Sequence, residues 1–555
     1  MPNATVDLVV VGYVSDPHGR GTISLLLSSI LTLILCVWSA LHFNVPPSNQ
    51  TATRDALLSA RWVIAGIYAP ELVVFAAWRQ WSSARLLQAL VVEAKATRAG
   101  SAGPEWTMTH SFFACTGGFA FEFPGLEALS TSREEQESQA PRRLTLTARG
   151  MALLARCGHI PDVSRAEIED KSKANDLAKA MVILQATWML VQVLGRLAAG
   201  LPVTLVEVNT VAHVLCAFAM YLFWWHKPLL PREPLIIRDQ SLLPLAAFMY
   251  SSSEMSGYVD PNKVQSQTII KTLFAHLSHY SKTPELETLR LRSAQQASTA
   301  QDDSDDPKKP VVTVKGEVRG EIEHAPDSCL AQVQCQREKD KGTAFFERRP
   351  RVVSSPPEGA HLSSNDSRRW DCILRSLQHY PFLLEGRASL VHSLGDGIRC
   401  THLKPEQLVA SHIGNWPSDD LLRNVDGLVV GMVLWLANLC YGGIHAAAWN
   451  DYFPSEVEKW MWRSSAAYIT FCGGLWVVLN FLVARFRRLN QFWEHWMDGK
   501  KPLWQSLLLG VVVFICGFSL VLARVFIVIE AFISIRQMPE SAYRTPEWSD
   551  MIPHF

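Results

Sequence analysis

The sequence lacks an excess of charge of either sign, because 52 Lys and Arg residues balance 52 Asp and Glu residues. Without a net positive charge there is no global field to attract a polyanion, so we expect no nucleic-acid partner. The 11 cysteines contain no C-x-x-C pair. We therefore expect buried thiols and predict neither a metal site nor a disulfide framework.

The sequence also lacks the common nucleotide and metal signatures GxGxxG, GxxxxGK[ST] and HExxH. Accordingly, we predict no cofactor. We also expect no cleavable signal peptide, since Asp7 and Asp16 precede a first apolar run that is too long for the apolar core of such a peptide. We expect this run to remain in the mature protein as a signal anchor.

Long apolar segments are abundant: 48% of the residues are hydrophobic, and 19 are tryptophan. A membrane-spanning helix needs about 20 mostly apolar residues. Seven segments qualify, give or take one, at about 21–43, 62–78, 180–199, 203–225, 427–447, 464–484 and 503–529. The predicted fold is an all-α polytopic transmembrane helix bundle with about seven spans.

Two further stretches differ from these spans. Residues 106–124, WTMTHSFFACTGGFAFEFP, are apolar but interrupted by polar residues and glycines, which indicates a re-entrant or interfacial segment. Residues 281–369 are charged and proline-rich with few aromatics, so we predict a disordered cytosolic insertion that serves as a tether. It divides the chain into membrane halves at 1–280 and 370–555.

The orientation is predicted from lysine and arginine, which concentrate in cytosolic loops. Basic residues follow the second and fourth predicted spans and separate the sixth from the seventh. This pattern predicts a cytosolic N-terminus and a C-terminus on the opposite side, in the endoplasmic reticulum or another endomembrane. Of three N-x-S/T sequons, only Asn49 would then face the glycosylating side.

Several polar residues lie within the apolar spans, where a charge costs about 2.5–3.5 kcal/mol on insertion scales. Glu71 follows a proline in IYAPELVVFAAW, near the middle of its span. We expect one polar chamber towards the lumenal ends of the spans, formed by His42, Arg196, Glu207, His445, Trp449, Arg524 and Glu530. In the alternative, Arg196 or Arg524 pairs with Glu71, Glu207 or Glu530 and only locks the bundle.

Several strings together resemble a large group of fungal multi-pass membrane proteins, mostly without known activity; they include RGTISLLLSSI, APELV, WTMTHSFFACTGGF, LPVTLVEVNTVAH and YGGIHAAAWNDYFPSEVEKWMWR. The resemblance covers nearly the whole chain outside residues 281–369. The chain is also similar to membrane-bound terpene cyclases of fungal meroterpenoid pathways of the ascochlorin and ascofuranone kind. This second resemblance implies acid-initiated cyclisation of an apolar prenylated or epoxidised substrate, with other biosynthetic enzymes as partners.

Cyclisation of this kind requires an acid that stays protonated at neutral pH, and an apolar site favours that state of a carboxyl group. Glu71 has such surroundings, and Glu207 and Glu122 are the alternative acids. His213 or Asn209 would accept the final proton or orient the acid. Further residues would line the substrate site or face its cationic intermediates, namely Tyr68, Phe112, Phe113, Trp188, Arg196 and His445.

Three other classes of function remain open. In a transporter, Glu71, Glu207 and His213 would form a proton or ion relay. A seven-helix receptor has the right number of spans but the opposite orientation. A non-enzymatic scaffold would recruit partners through the insertion, and its polar membrane residues would tolerate substitution.

Overall fold

The computed structural model describes a large part of the chain. These residues are 9–16, 20–47, 51–96, 105–124, 143–170, 176–229, 231–253, 372–373, 375–383, 407–417, 421–422, 427–486, 488–489, 491 and 503–545. The predicted insertion, 281–369, and the sequon at Asn49 lie outside the described residues.

The described chain is mostly helical, as predicted. The helices are α1 (Thr22–Ala40), α2 (Ala52–Tyr68), α3 (Pro70–Ala96), α4 (Met108–Cys115), α5 (Ala148–Cys157), α6 (Arg165–Asp170), α7 (Asp176–Ala198), α8 (Leu205–Trp224), α9 (Leu243–Ser251), α10 (Gly427–Ala446), α11 (Glu456–Arg485) and α12 (Leu503–Ile533). Short 3₁₀ turns lie at Gln240–Leu242, Pro381–Leu383, Ala447–Asn450, Ser534–Arg536 and Glu540–Tyr543.

Short strands accompany the helices, so the all-α prediction is incomplete. They are β1 (Val10–Val11), β2 (Phe119–Phe121), β3 (Leu144–Leu146), β4 (Leu235–Ile237), β5 (Val409–Ala410) and β6 (Met538–Pro539). One sheet has the order β4-β2-β3-β5, and β1 pairs antiparallel with β6. Strands of two or three residues are too short to show an alternating pattern, which is why the sequence did not reveal them.

Six described helices are long and apolar enough to cross a membrane, and they agree with six of the seven predicted spans: Thr22–Ala40, Ala180–Ala198, Leu205–Trp224, Val429–Asn450, Glu456–Arg485 and Gly510–Arg536. The predicted span at 62–78 is wrong as a straight helix, because α2 and α3 meet at a bend of 112°. Pro70 causes the break: it lacks an N–H group, and its ring excludes the helical conformation at Ala69, whose φ is −149°.

Both flanks of the bent pair lie at one end of the bundle. Lys227, just past the end of α8, donates to Asn44 Oδ1 before α2 and to Gln80 Oε1 within α3. The bend itself lies deep in the bundle, where the Tyr68 carbonyl accepts from Arg524, midway along the apolar segment Gly510–Arg536. The pair therefore enters and leaves at the same end, which we call the base end.

The two described terminal segments meet at the other end, which we call the clasp end. There, β1 pairs with β6, Thr22 Oγ1 donates to Tyr543 Oη at 3.1 Å, and Arg20 forms an ion pair with Glu207 at 2.5 Å. The two described terminal segments therefore lie together, which does not fit the predicted arrangement with the termini on opposite sides.

A folded unit packs at the base end, around the second half of α3, α4, α5, α9 and the four-stranded sheet. Residues 106–124, expected to be re-entrant or interfacial, form α4 and β2 of this unit. Phe112 and Phe113 are fully buried here, and the Phe113 ring lies edge-on to Phe119 at 5.3 Å. Thr147 caps the start of α5 and also donates to the Leu408 carbonyl, which joins the chain on either side of the insertion.

Candidate functional site

The polar residues expected to form one chamber do not lie together, so that expectation is wrong, and most of the candidates fall in two separate clusters. The central cluster comprises Glu71, Asn209, His213, Asn438, Tyr441, His445 and Arg524. The clasp cluster comprises Arg20, Arg196, Thr204 and Glu207. His42 belongs to neither, because it lies at the base end, where its ring centroid is 5.4 Å from that of Trp224.

An ion pair between Glu71 and Arg524 forms the centre of the first cluster. Arg524 Nη2 lies 2.6 Å from Glu71 Oε1, and Nη1 donates to Oε2 at 3.1 Å. The guanidinium also donates to the side-chain oxygen of Asn438 and lies 5.0 Å from the Tyr441 ring centroid. Because both oxygens of Glu71 accept charge-assisted hydrogen bonds, the geometry is that of an ionised carboxylate.

Side chains from two other helices hold the bend before Glu71. His213 Nε2, from α8, lies 2.8 Å from the Ile67 carbonyl oxygen, and Arg524 Nη1 donates to the Tyr68 carbonyl at 3.0 Å. Backbone groups at membrane depth need such partners, because no water is present to replace a missing helical bond. The bend is therefore fixed by α8 and α12.

Asn209, His213 and His445 form a second layer of this cluster. His213 Nδ1 lies 2.8 Å from the Asn209 carbonyl oxygen, and His445 Nε2 lies 3.3 Å from Asn209 Oδ1. The other ring nitrogen of His445 faces the Tyr441 carbonyl at 2.9 Å, and Trp462 Nε1 donates to the His445 carbonyl at 3.1 Å. Contacts from three helices thus hold both the Asn209 amide and the His445 ring in place.

A cavity of about 240 Å³ lies beside this layer, between α1, α2, α8 and α12. Its lining consists of Ile30, Leu33, Ile34, Val37, Trp38, Val63, Ile67, Asn209, His213, Val528 and Phe532. Ile34 and Trp38 are 59% and 62% exposed on the outer surface of the bundle, whereas Asn209 and His213 are buried. The cavity therefore runs from an apolar surface to a wall with two polar side chains.

The clasp cluster is occupied by structural contacts. Glu207 Oε2 accepts from the Thr204 N–H and hydroxyl, each at 2.9 Å, which caps the start of α8. Arg196 lies 4.0 Å from Glu207 and donates to the carbonyls of Pro202, Ala542 and Arg544. These bonds tie the C-terminal segment to the α7–α8 turn, and none of the residues that form them lines the cavity.

The other candidates lie elsewhere. Glu122 is exposed in the base unit, where Phe112 and Phe113 are core residues. Trp188 is half-buried on α7 and does not line the cavity, while Tyr68 contributes its carbonyl to Arg524. Of the predicted site residues, the structure brings together Glu71, Asn209, His213 and His445.

Sequence reasoning missed Asn438 and Tyr441 in the central cluster. A signal for them exists, because positions 438, 441 and 445 share one face of a helix, each one turn from the next. The α1 residues that line the cavity, such as Leu33 and Val37, gave no comparable signal. They are ordinary apolar residues of a span.

Among the residues that the structure describes, no group of three or more His, Cys, Asp or Glu side chains is placed to hold a metal ion. The search of curated proteins gives no match, and neither does the search of solved structures. In contrast, a family described only as a family of unknown function, DUF8562, matches residues 1–326 and 400–555. This match covers well over half of the chain, which therefore belongs to the DUF8562 family.

Proposed function

We propose that the protein takes up an apolar small molecule from the lipid phase of a membrane and holds it in the cavity between α1, α2, α8 and α12. The observation that carries this proposal is the lining, in which nine apolar side chains lead from the bundle surface to Asn209 and His213. Binding pockets typically combine such an apolar surface with a few placed polar groups. A ligand that enters from lipid needs no aqueous channel.

In its finer form, the proposal is a membrane-bound terpene cyclase that acts on a prenylated, epoxidised substrate. An apolar site that opens towards lipid keeps water from cationic intermediates, and the rings of Trp38 and Phe532 in the lining offer π faces to them. Glu71 is a poor acid for this reaction because both its oxygens accept bonds from Arg524. This geometry favours His213 as the proton donor in place of the carboxyl groups expected from the sequence.

The two ring nitrogens of His213 each face a carbonyl oxygen at 2.8 Å, and the acid of the proposed reaction is the doubly protonated ring, which would donate to both oxygens. In the proposed reaction, the proton on His213 Nε2 leaves its hydrogen bond to the Ile67 carbonyl and transfers to the epoxide oxygen. A C–O bond of the epoxide then breaks. The chain then cyclises onto the resulting cation. Loss of a proton from the last cation to His213 restores the ring, so the product is an isomer of the substrate.

The test uses the full chain in yeast microsomes, supplied with epoxidised farnesylated phenols. We expect cyclised products of unchanged mass. Val63→Trp, which fills the cavity, should abolish them, whereas Ile64→Trp on the neighbouring exposed position should not. His213→Phe should also remove the products. Absence of any isomer across the substrate panel, with folded protein present, would overturn the cyclase.

We also propose the orientation of the protein in an endomembrane. Basic residues concentrate at the base end: Arg85 and Lys95 lie in the second half of α3, and Arg232 and Arg238 follow α8. The base end is then cytosolic, and the clasp end with both terminal segments faces the lumen. This reverses the cytosolic N-terminus expected from the sequence and transfers the glycosylation candidate from Asn49 to Asn3.

Proton-coupled transport is a second candidate, favoured by the broken helix pair with Glu71, His213 and Arg524 at its bend. Transporters place ionisable groups at such breaks. Against this, the described cavity is apolar and Glu71 is fully engaged. Proteoliposomes under an imposed pH gradient provide the test: proton flux that is lost in Glu71→Gln would favour transport. A seven-helix receptor does not fit an arrangement with both termini at one end.

A further inference from the structure

We infer that the ligand of the cavity is a flexible apolar chain that ends in a hydroxyl group, and that the Asn209 side-chain oxygen accepts the hydrogen bond from that hydroxyl. This inference rests on the proposed function, because it assigns the chemistry of the same cavity. It adds a specificity residue and a ligand class to the proposal. In the cyclase, the hydroxyl is the epoxide oxygen after it has received the proton of His213.

The lining leaves one buried polar group for a ligand in the resting structure. Asn209 and His213 have buried polar side chains, whereas the indole of Trp38 is 62% exposed. Both ring nitrogens of His213 face carbonyl oxygens until the proposed proton transfer. Asn209 Oδ1 lies 3.3 Å from His445 Nε2, so the opposite end of the amide remains for the ligand.

His445 decides which end of the amide this is. Its Nδ1 lies 2.9 Å from the Tyr441 carbonyl, which only accepts, so Nδ1 carries the proton. In the neutral ring, Nε2 then accepts and needs a donor. The two ends of an amide interchange by a half-turn, so we infer that the Asn209 amide is turned, with its N–H towards His445 and its oxygen towards the cavity. An amide oxygen selects a hydrogen-bond donor, such as a hydroxyl.

The size of the cavity indicates that it holds the end of a chain-shaped ligand and not a complete molecule. Its volume of about 240 Å³ is below the roughly 300–1,000 Å³ of pockets that enclose a complete ligand. The opening beside Ile34 and Trp38 allows the rest of a flexible molecule to remain in the lipid. We expect a flexible chain to fit this cavity better than a rigid four-ring sterol does.

The experiment uses the purified full chain in lipid nanodiscs and a farnesol analogue that carries a photoreactive diazirine. Cross-linking is competed with farnesol, with its methyl ether and with β-farnesene. The ether keeps the oxygen but cannot donate. We expect farnesol to compete at about one-tenth the concentration of the other two, the change that one hydrogen bond typically makes.

Two variants and one control separate the role of Asn209 from general binding. Asn209→Leu should bind all three competitors alike. His445→Phe leaves the Asn209 amide free to turn and should therefore reduce the preference for farnesol over the other two. Asn480→Leu is the matched control: this asparagine donates to the Trp476 carbonyl within α11, away from the cavity, so the preference for farnesol should persist.

The outcomes are distinguishable. Equal competition by alcohol and ether in the unmodified protein, or a preference that persists in both Asn209→Leu and His445→Phe, overturns the inference. Displacement by ergosterol at lower concentrations than by farnesol overturns the assignment to a flexible chain. Cross-linking that no competitor displaces, and that Val63→Trp does not reduce, overturns the proposed function itself.

Discussion

Arg524 Nη2 lies 2.6 Å from Glu71 Oε1, and through this contact the last described membrane helix holds the start of α3 at the bend. Both side chains are buried, at 7% and 3% exposure. The pair corresponds to the locking alternative drawn from the sequence. Each charge needs the other, because one unpaired charge in an apolar interior costs far more free energy than two uncharged side chains in the same place.

The single substitution of Glu71 should therefore destabilise the protein more than the double substitution of the pair does. Glu71→Leu leaves Arg524 without its counter-charge and should lower the free energy of unfolding by about 3–5 kcal/mol. Glu71→Leu combined with Arg524→Leu should recover most of that loss, less about 1–3 kcal/mol for the Tyr68 carbonyl that loses its donor. Unfolding in mixed detergent micelles measures the cycle; equal losses in the single and double variants would contradict it.

Close packing of α10 against α11 gives a second prediction. A Cβ atom on Gly473 would lie 2.6 Å from the Leu439 backbone nitrogen, so the helices would have to separate. Gly473→Ala should cost about 1–3 kcal/mol, as overpacked sites do. On the adjacent Gly474, the nearest atom is a side-chain methyl at 3.7 Å, and Gly474→Ala should be neutral or stabilising by up to about 1 kcal/mol. Thermal unfolding of the two variants should give opposite shifts.

The base unit should lose stability in mildly acidic solution because of His110. Its Nδ1 accepts from the Thr107 N–H at 3.1 Å and its Nε2 faces the Val163 carbonyl at 2.9 Å, which fixes a neutral ring. Burial lowers the pKa of the His110 imidazole below its usual 6.5, and nearby Lys95 and Arg165 lower it further. The hydrogen bond to the Val163 carbonyl raises the pKa but does not cancel these effects. The contribution of the neutral His110 ring to the stability of the base unit is therefore complete above pH 6.5 and is lost as the pH falls below that value.

His110→Gln keeps an acceptor for the Thr107 N–H but does not titrate. Amide hydrogen exchange in α4, followed between pH 7.5 and 5 and corrected for the intrinsic rate, should rise on acidification in the unmodified protein. In the glutamine variant this rise should be smaller. The same rise in both proteins would mean that another group controls the acid response.

The sequence predicted the membrane helices well and their connections poorly. Six spans were identified because a run of about 20 apolar residues suffices for a crossing. Hydropathy does not record direction, so the sequence predicts one straight span across Pro70 where the structure has a bent pair of helices. Counting this pair as a crossing, or not, decides whether the termini lie on opposite sides or together. The sequence offers Arg196 and Arg524 as partners of Glu71 but does not choose between them, because the partner lies 453 positions away along the chain.

Glycosylation of the native sequons tests the proposed topology, in which the base end is cytosolic and the clasp end is lumenal. With the clasp end in the lumen, endoglycosidase treatment of the microsomal protein should produce a mobility shift that Asn3→Gln abolishes and Asn49→Gln preserves. Sequons added beyond either terminus should both be modified, since β1 and β6 bring the two terminal segments to one end. A shift that only Asn49→Gln abolishes would place the base end in the lumen. Modification of one added sequon without the other would contradict six crossings, because an even number of crossings requires both termini on one side.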